Sequence, residues 1–486
     1  MAPGITLLGL GPGDPHQLTR EAWDHLSSIQ EIYVRTRQHP TLAGFPDGLV
    51  VHSFDSIYES SAAFEDVYSE IVRTILELAA QPQGVTYAVP GSPFVAEATC
   101  PAIMRQAKAV GIPLRVIEGL SFIEPTCTAL YIDPYPRLMA VDAMELAVRH
   151  MPSFPPDVPA LVAQVYSQRV AADVKLTLMA VYPDDHPVRL VHAAGTSQQV
   201  VEDVPLFEMD RSPHIGLLTS LYVPPLKSST SFEAFQEIIA HLRAPDGCPW
   251  DREQDHQTLR KHLLEETYEA VEAMDADDPQ AMCEELGDLL LQIVLHAQIG
   301  EEYGEFRMTD VLAGIHEKIV RRHPHVFSDM QVAGSQGVVQ NWEKIKQAER
   351  AQENSDEAKG MLDGVPAALP ALVQAQELQD RAARVGFDWP SIEPVWEKVM
   401  EELGEVRAAT DLTSLEGELG DLLFALVNII RWHKLDAEAV LRSANQKFRR
   451  RFAYIEKKAR ESGHELHAMT LEQMDELWDK AKLAGL

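Results

Sequence analysis

Short apolar runs separated by helical stretches open the chain. Ile5–Leu10 (ITLLGL) leads into a glycine-rich turn, and Thr86–Val89, Leu114–Ile117, Ala160–Val165 and His214–Thr219 have strand length and composition. Between them, Ser61–Ala80 and Ala96–Val110 carry a helical pattern. Strands alternating with helices predict a mainly parallel sheet with ligand loops at the carboxyl ends of its strands. At Pro224–Ser231 (PPLKSSTS) the pattern changes. Beyond this linker β-branched runs are few, and the chain reads as helix after helix. A second polar stretch, Ala351–Gly360 (AQENSDEAKG), divides that half. The predicted organisation is multidomain: an α/β domain over 1–223, then two all-α units over 232–349 and 363–486.

The two helical units repeat each other. Glu284–Val294 (EELGDLLLQIV) returns as Gly417–Val427 (GELGDLLFALV), and the helix before it, with Glu265, Glu266 and Glu269, returns with Glu401, Glu402 and Glu405. The turn between these helices is expected to be three residues shorter in the second copy. Lys318, Arg321 and Arg322 return as Lys447, Arg450 and Arg451.

Carboxylates at i and i+3 share one helix face. Glu266 with Glu269, and Glu285 with Asp288, form two such pairs, which a short polar turn can fold against each other. The second copy offers Glu402 with Glu405 and Glu418 with Asp421. Two like charges about 5 Å apart repel by roughly 3 kcal/mol at an effective dielectric near 20. Such a cluster needs a cation, and oxygen-only ligands favour Mg²⁺ or Mn²⁺. Glu265 and Glu401 lie about 100° around their helices, as marginal ligands or outer groups. Gly287 and Gly420 cost helix propensity of about 1 kcal/mol each, as expected where a helix or a ligand approaches closely. Apolar neighbours should half-bury Asp288 and Asp421. Ordinary acidic helix faces would explain one copy; two copies with the same pairs in the same Leu-Gly-Asp-Leu-Leu context argue against that. Lys318 and Arg321, with Lys447 and Arg450, then suit the far side of a polyphosphate, although the second group would also serve as a basic helix terminus.

A net charge of −32 makes duplex nucleic acid an improbable partner. Cys100, Cys127, Cys248 and Cys283 are scattered without a C-x-x-C, which suits a reducing cytoplasm and argues against a disulfide framework. No apolar run reaches membrane-spanning length, and no signal peptide is expected. Trp250, Trp342, Trp396 and Trp432 read as core or interface aromatics rather than as base-stacking platforms.

Residues 232–486 resemble the MazG-type nucleoside triphosphate pyrophosphohydrolases in their two-copy form. The motifs are Gly247-Cys-Pro-Trp-Asp251, Glu265-Glu266-x-x-Glu269, Glu285-Leu-Gly-Asp288, Arg321-Arg-His-Pro-His-Val-Phe327 and Asn341-Trp-Glu-x-Ile-Lys346, with Glu401-Glu402-x-x-Glu405, Glu418-Leu-Gly-Asp421 and Lys447-Phe-x-Arg450-Arg-Phe452 in the second copy. The resemblance implies an all-α, usually dimeric fold and Mg²⁺-dependent cleavage of a nucleoside triphosphate to the monophosphate and pyrophosphate. It assigns metal binding to Glu266, Glu269, Glu285, Asp288, Glu402, Glu405, Glu418 and Asp421, and catalytic work to Glu265, Glu401, Lys318, Arg321, Lys447 and Arg450. Residues 1–223 resemble the tetrapyrrole methylases, which use S-adenosylmethionine. The signals are Gly9-Leu-Gly11-Pro-Gly13-Asp14-Pro15, Val89-Pro90-Gly91-Ser92-Pro93 and Glu118-Gly-Leu-Ser121. Gly9, Gly11, Gly13, Asp14, Pro90, Gly91 and Ser92 are the implied cofactor residues, since a glycine turn lets a ligand approach backbone N–H groups. Ser92 replaces the acid of the usual Gly-Asp-Pro turn, which weakens the case for methyl transfer rather than for the fold. Two other readings stay open at this point: a methyltransferase with accessory MazG units, and a helical dimerisation scaffold without catalysis.

Overall fold

The structure, a computed structural model, describes residues 4–60, 64–227, 229–328, 330–332, 334–353 and 360–486. Parts of three predicted segments, Ser61–Ala80, Pro224–Ser231 and Ala351–Gly360, lie outside the described residues. Met1–Ala313 and Gly314–Leu486 form two compact units.

In the first unit, β1 (Ile5–Gly9), β2 (Glu31–Val34), β3 (Val50–Ser53), β4 (Val85–Val89) and β5 (Leu114–Ile117) form one sheet in the order β3-β2-β4-β1-β5. Every pairing in it is parallel. Both faces are covered. Ile5 and Leu7 pack with the helices Phe64–Ala79 and Thr99–Val110, and Leu8 packs on the other face against Ala22 and Leu26. That is why β1 and β4 read as nearly continuous apolar runs rather than as alternating ones. The parallel order brings the carboxyl ends of β4, β1 and β5 side by side, each running into a glycine-bearing loop.

A second sheet contains β6 (Met139–Asp142), β7 (Ala160–Ala163), β8 (Pro187–His192), β9 (Val200–Pro205) and β10 (Thr219–Val223), in the order β6-β7-β10-β8-β9. Only β6 and β7 pair in parallel; the other three pairings are antiparallel. The expectation of a mainly parallel sheet therefore holds for the first sheet and fails for the second, because β8 and β9 follow each other without an intervening helix. The run His214–Thr219 is not a strand. Gly216 donates its N–H to the Thr219 hydroxyl at 2.9 Å and accepts the Thr219 N–H at 3.0 Å, which makes a turn, and the strand begins only at Thr219.

Past the linker the chain is helical. The helices used below are α1 (Phe232–Arg243), α2 (Arg260–Asp275), α3 (Pro279–Tyr303), α4 (Met308–Arg322) and α5 (Gly334–Glu353), then α6 (Ala371–Arg384), α7 (Glu393–Ala408), α8 (Leu412–Trp432), α9 (Ala437–Glu461) and α10 (Leu471–Leu483). α2 and α3 form one hairpin, and α7 and α8 form the other. Asp278 caps α3 through the N–H groups of Gln280 and Ala281, and Asp411 caps α8 through that of Ser414. Both connections, 276–278 and 409–411, are three residues long. The expected shortening of the turn is therefore corrected: the extra residues lie in α2, which runs on to Asp275 after Glu269, whereas α7 ends at Ala408 soon after Glu405.

In the first repeat Ile239, Leu259, Val294 and Ile299 make a small core. Arg243, almost wholly buried, holds it to the Gly247–Asp251 segment. Its guanidinium donates to both Glu302 carboxylate oxygens at 2.8 and 2.7 Å, and also to the Asp251 and Gln254 carbonyls. The second repeat is centred on Val395, Val399, Ala425 and Ile429.

Candidate active site

The two hairpins bring the predicted acids together. One carboxylate oxygen each from Glu266, Glu285 and Asp288 lies within 4.8 Å of the others, and Glu402, Glu418 and Asp421 form an equivalent triad. Glu269 and Glu405 stand outside these triads but within electrostatic reach. Partial burial, then Asp288 and Glu269, pushes the Glu266 carboxyl above the usual glutamate range. Burial and then Glu269 and Asp288 do the same to Glu285, and burial with Glu402 and Glu418 to Glu405. Burial is the larger cause of each shift, and the neighbouring carboxylates add to it.

The donor set fits a hard divalent ion. All donors are oxygens, and Glu402, only 4% exposed, has one oxygen, Oε2, with no hydrogen-bond partner among the described residues. A Cβ added to Gly287 or Gly420 would meet nothing within 4 Å, so close helix packing within the chain does not explain these glycines, and space is left beside each acid pair. The half-burial expected for both aspartates holds for Asp288 but not for Asp421, which is exposed.

The outer acids have partners that spacing alone did not suggest. Glu265 meets His262 Nδ1 at 3.0 Å. Lys398, at the corresponding position of α7, reaches Glu401 at 2.9 Å and Glu402 at 2.6 Å. The signal was present: a cation three and four residues before the two glutamates.

The basic helices behave differently from one another. Lys318 and Arg321 belong to the second unit, whereas the first triad belongs to the first. Arg321 and Arg322 both close on Glu349 at 2.7 Å, which holds that carboxyl down at about 2. Lys447 and Arg450 are exposed and enter no ion pair among the described residues, with the second triad or otherwise.

At the first sheet, the three loops close on one another. The Gly11 N–H donates to the Gly91 carbonyl at 3.2 Å, and the Gly91 N–H donates back to Gly11 at 2.8 Å. A Cβ on Gly9 would sit 2.6 Å from the Gly119 nitrogen and 2.7 Å from the Gly91 oxygen. These glycines let strand ends pack backbone to backbone, and the N–H groups of Gly11 and Gly91 are not available to cradle a ligand. Gly13 is buried with φ +144°, beside Thr196. Asp14 caps the 3-10 turn Pro15–Gln17, accepting the His16 N–H at 2.9 Å and its ring nitrogen at 3.0 Å, and these bonds lower its pKa. Pro90 is half-buried and Ser92 buried in the loop after β4.

Comparison with known proteins gives these sites a context. Residues 4–210 match the tetrapyrrole (corrin/porphyrin) methylases, and residues 254–327 and 391–455 match the MazG nucleotide pyrophosphohydrolase domain. The uncharacterized protein YabN of Bacillus subtilis is 46% identical over 496 residues, covering 99% of each chain. The chain belongs to the family that joins a tetrapyrrole methylase domain to two MazG domains. Its MazG half is 44% identical over 252 residues to the nucleoside triphosphate pyrophosphohydrolase/pyrophosphatase MazG of Thermotoga maritima, spanning 52% of this chain and 95% of that protein. It is 45% identical over 251 residues to the Escherichia coli nucleoside triphosphate pyrophosphohydrolase, spanning 50% and 94%.

Within the MazG repeats the structure reveals a correspondence that motif reading missed. Trp342 lies under Arg322 at 5.5 Å and Lys346 at 4.7 Å, and Trp478 lies under Arg451 at 5.4 Å. Trp478-Asp479-Lys480-x-Lys482 on α10 repeats Trp342-Glu343-Lys344-x-Lys346 on α5. Trp250 and Trp396, expected in a core or an interface, are 57% and 49% exposed within the chain.

Proposed function

We propose that this chain hydrolyses nucleoside triphosphates to the monophosphate and pyrophosphate in the cytoplasm, and that its biological substrates are non-canonical nucleotides. The observation that carries the reading is the pair of oxygen-only triads, whose mutual repulsion calls for a cation. The names of the Thermotoga and Escherichia relatives support the reaction. Mg²⁺, or Mn²⁺ in its place, would be held by Glu266, Glu285 and Asp288 in the first repeat and by Glu402, Glu418 and Asp421 in the second, with Glu269 and Glu405 alongside. Such an ion supplies Lewis-acid polarisation of a phosphoryl group and a more acidic water.

The chain's own groups do the rest. Glu265, paired with His262, and Glu401, paired with Lys398, would orient a water or accept a proton rather than ligate. Lys447 and Arg450 present positive charge to the triphosphate without first leaving a partner. The resemblance gives Lys318 and Arg321 the same role in the first repeat, and Arg321 is paired with Glu349. Leu286, Leu290 and Ile293 on α3 are exposed, as are Leu419, Leu423 and Leu426 at the matching positions of α8. An apolar stripe repeated in both copies supports a homodimer formed through the MazG units. The acidity of the chain disfavours duplex nucleic acid, and among the described residues no helix is long and apolar enough to cross a membrane.

Pyrophosphate release from canonical and modified triphosphates with Mg²⁺ tests the reading. Glu266→Gln with Asp288→Asn, and Glu402→Gln with Asp421→Asn, assign the activity to a copy. Full activity with both clusters neutralised would overturn it.

A second reading, binding of S-adenosylmethionine by the methylase domain, is favoured by the convergence of three loops at the β4, β1 and β5 ends. Since Gly11 and Gly91 spend their N–H groups on each other, the ligand would be held by other groups of these loops. Calorimetry showing no binding removes it.

A further inference from the structure

Away from the acids, two histidines of the first repeat meet ring to ring. His256 lies between the Gly247–Asp251 segment and the start of α2, and His296 lies on α3. Asp255 fixes the direction of His256 by accepting the N–H groups of Gln257 and Thr258 at 2.8 and 2.7 Å. The Nδ1 atoms of the two histidines are 2.8 Å apart, their ring centres 5.1 Å apart, and their planes differ by 11°. Nitrogens that close, in rings so nearly parallel, exclude face-to-face stacking. The nitrogens account for 2.8 Å of the 5.1 Å between centres, and two ring radii account for the rest. The rings therefore meet edge to edge, almost in line. A neutral imidazole has one N–H and one bare nitrogen, so a single proton fits between the two Nδ1 atoms.

The pair is enclosed. Both Nε2 atoms are buried without a hydrogen-bond partner among the described residues, and Tyr303 and Phe306 flank His256 with ring centres 6.1 and 6.3 Å away. Glu305 Oε2, 3.9 Å from His256 Nε2, favours an N–H at that nitrogen. His256 Nδ1 then accepts and His296 Nδ1 donates, which leaves His296 Nε2 bare. One more proton on the pair puts an N–H on His296 Nε2, where no acceptor stands among the described residues, and leaving a buried donor unmatched is costly. The charged neighbours do not compensate at His296. Asp255 and Glu305 face His256 instead, and Arg243 of α1 and Glu302 of α3 are spent on each other at 2.7 Å. No charged group of α2 shifts His296; burial first and then His256 hold its imidazole below the ordinary value of 6.5.

The position of the pair gives it a mechanical role. The turn 276–278 joins α2 to α3 at one end of the hairpin, and the histidines join the lead-in of α2 to α3 at the other. Between these ties stand Glu266, Glu285 and Asp288, whose repulsion spreads the helices. We propose that His256 and His296 form a one-proton latch that holds the open end of the first hairpin shut at neutral pH and releases it when the pair takes up one more proton. Released, the histidines titrate at their ordinary value; latched, His296 titrates below it. The latch is therefore at full strength above pH 6.5 and weakens as pH falls from there toward the latched value. Over that interval the opening equilibrium rises by about tenfold per pH unit.

The test uses the full chain in chelator, without nucleotide. Nitrogen-15 resonance of labelled histidines should show His256 and His296 coupled through one shared hydrogen at pH 7.5 and titrating together below 6.5. Amide exchange over 253–259, corrected for the intrinsic rate, should quicken by about tenfold per pH unit across that titration. The segment 387–392, which leads into α7 and contains no histidine, should show no such step. His296→Phe should open 253–259 at every pH. His296→Gln retains a donor toward His256 Nδ1 without the titrating ring, so it should keep the segment closed and remove the step. Independent titrations at or above 6.5 overturn the inference, as does exchange over 253–259 that ignores pH, or a step that survives His296→Gln. If His296→Phe unfolds, the parent titration and the glutamine variant decide. None of these measurements involves hydrolysis or a metal ion, so failure of the latch and failure of the proposed reaction are separate results.

Discussion

Glu266→Gln separates a ligand carboxylate from a structural one. Its oxygen lies within 4.8 Å of both Glu285 and Asp288. At that distance one pair of charges repels by about 3.5 kcal/mol at a dielectric of 20, and by about 0.9 kcal/mol in water. The triad is partly exposed, so solvent screening keeps the two pairs together at roughly 1–3 kcal/mol. Glutamine has the same shape without the charge, and among the described residues Glu266 makes no side-chain hydrogen bond that the amide would lose. In chelator, the variant should be more stable than the parent by about that amount, which raises the melting transition by roughly 2–8 °C. In Mg²⁺ the order should reverse, since the parent gains an ion that the variant binds poorly. The pH dependence has a defined sign. The folded carboxyl titrates above its ordinary value of 4.5, so the folded state binds the extra proton. Metal-free stability is therefore present below that value and falls as pH rises through the folded pKa. Calorimetry in chelator and in excess Mg²⁺ measures all of this. A variant less stable than the parent in chelator would refute the reasoning, because it would mean that the carboxylate holds the hairpin together.

Arg243→Met should cost about 3–5 kcal/mol in urea unfolding, because it leaves Glu302 and two carbonyls without their donor, and Glu302→Gln in the same chain should recover part of the loss. His39 is buried with neither ring nitrogen bonded among the described residues, and burial pushes its pKa down to about 4. The unfolded state takes up the proton first, so stability present above pH 6.5 is lost as pH falls toward 4, by about 3 kcal/mol in full; His39→Leu should flatten that part of the pH profile of unfolding. Leu290→Glu combined with Leu423→Glu charges both apolar stripes and should halve the mass seen by sedimentation, and an unchanged mass would remove the dimer surface from α3 and α8.

The acid clusters were legible because i,i+3 spacing fixes a helix face whatever surrounds it, and because the pattern occurs twice. The α/β-to-helical boundary was legible from the Pro/Ser linker. The length of the hairpin turns was not read from the spacing between acids, because residues between two pairs can lie in either helix or in the turn. The caps Asp278 and Asp411 would have decided it. β2 (EIYV) and β3 (VVHS) escaped because four residues mixing polar and apolar positions resemble a loop edge. The glycines of the first domain pointed to the right place for a different reason. Gly9 is needed because neighbouring backbone leaves no room for a Cβ, and Gly91 because its φ is +71°, and no single-chain pattern distinguishes either need from a ligand's approach.

The reciprocal bonds between Gly11 and Gly91 have a mechanical consequence. Two loops far apart in sequence become one lip, and neither can swing without breaking both bonds or carrying the other along. Their amide hydrogens should therefore exchange with solvent at a common rate, set by one shared opening rather than by two local ones. Anything that grips either loop would stiffen both.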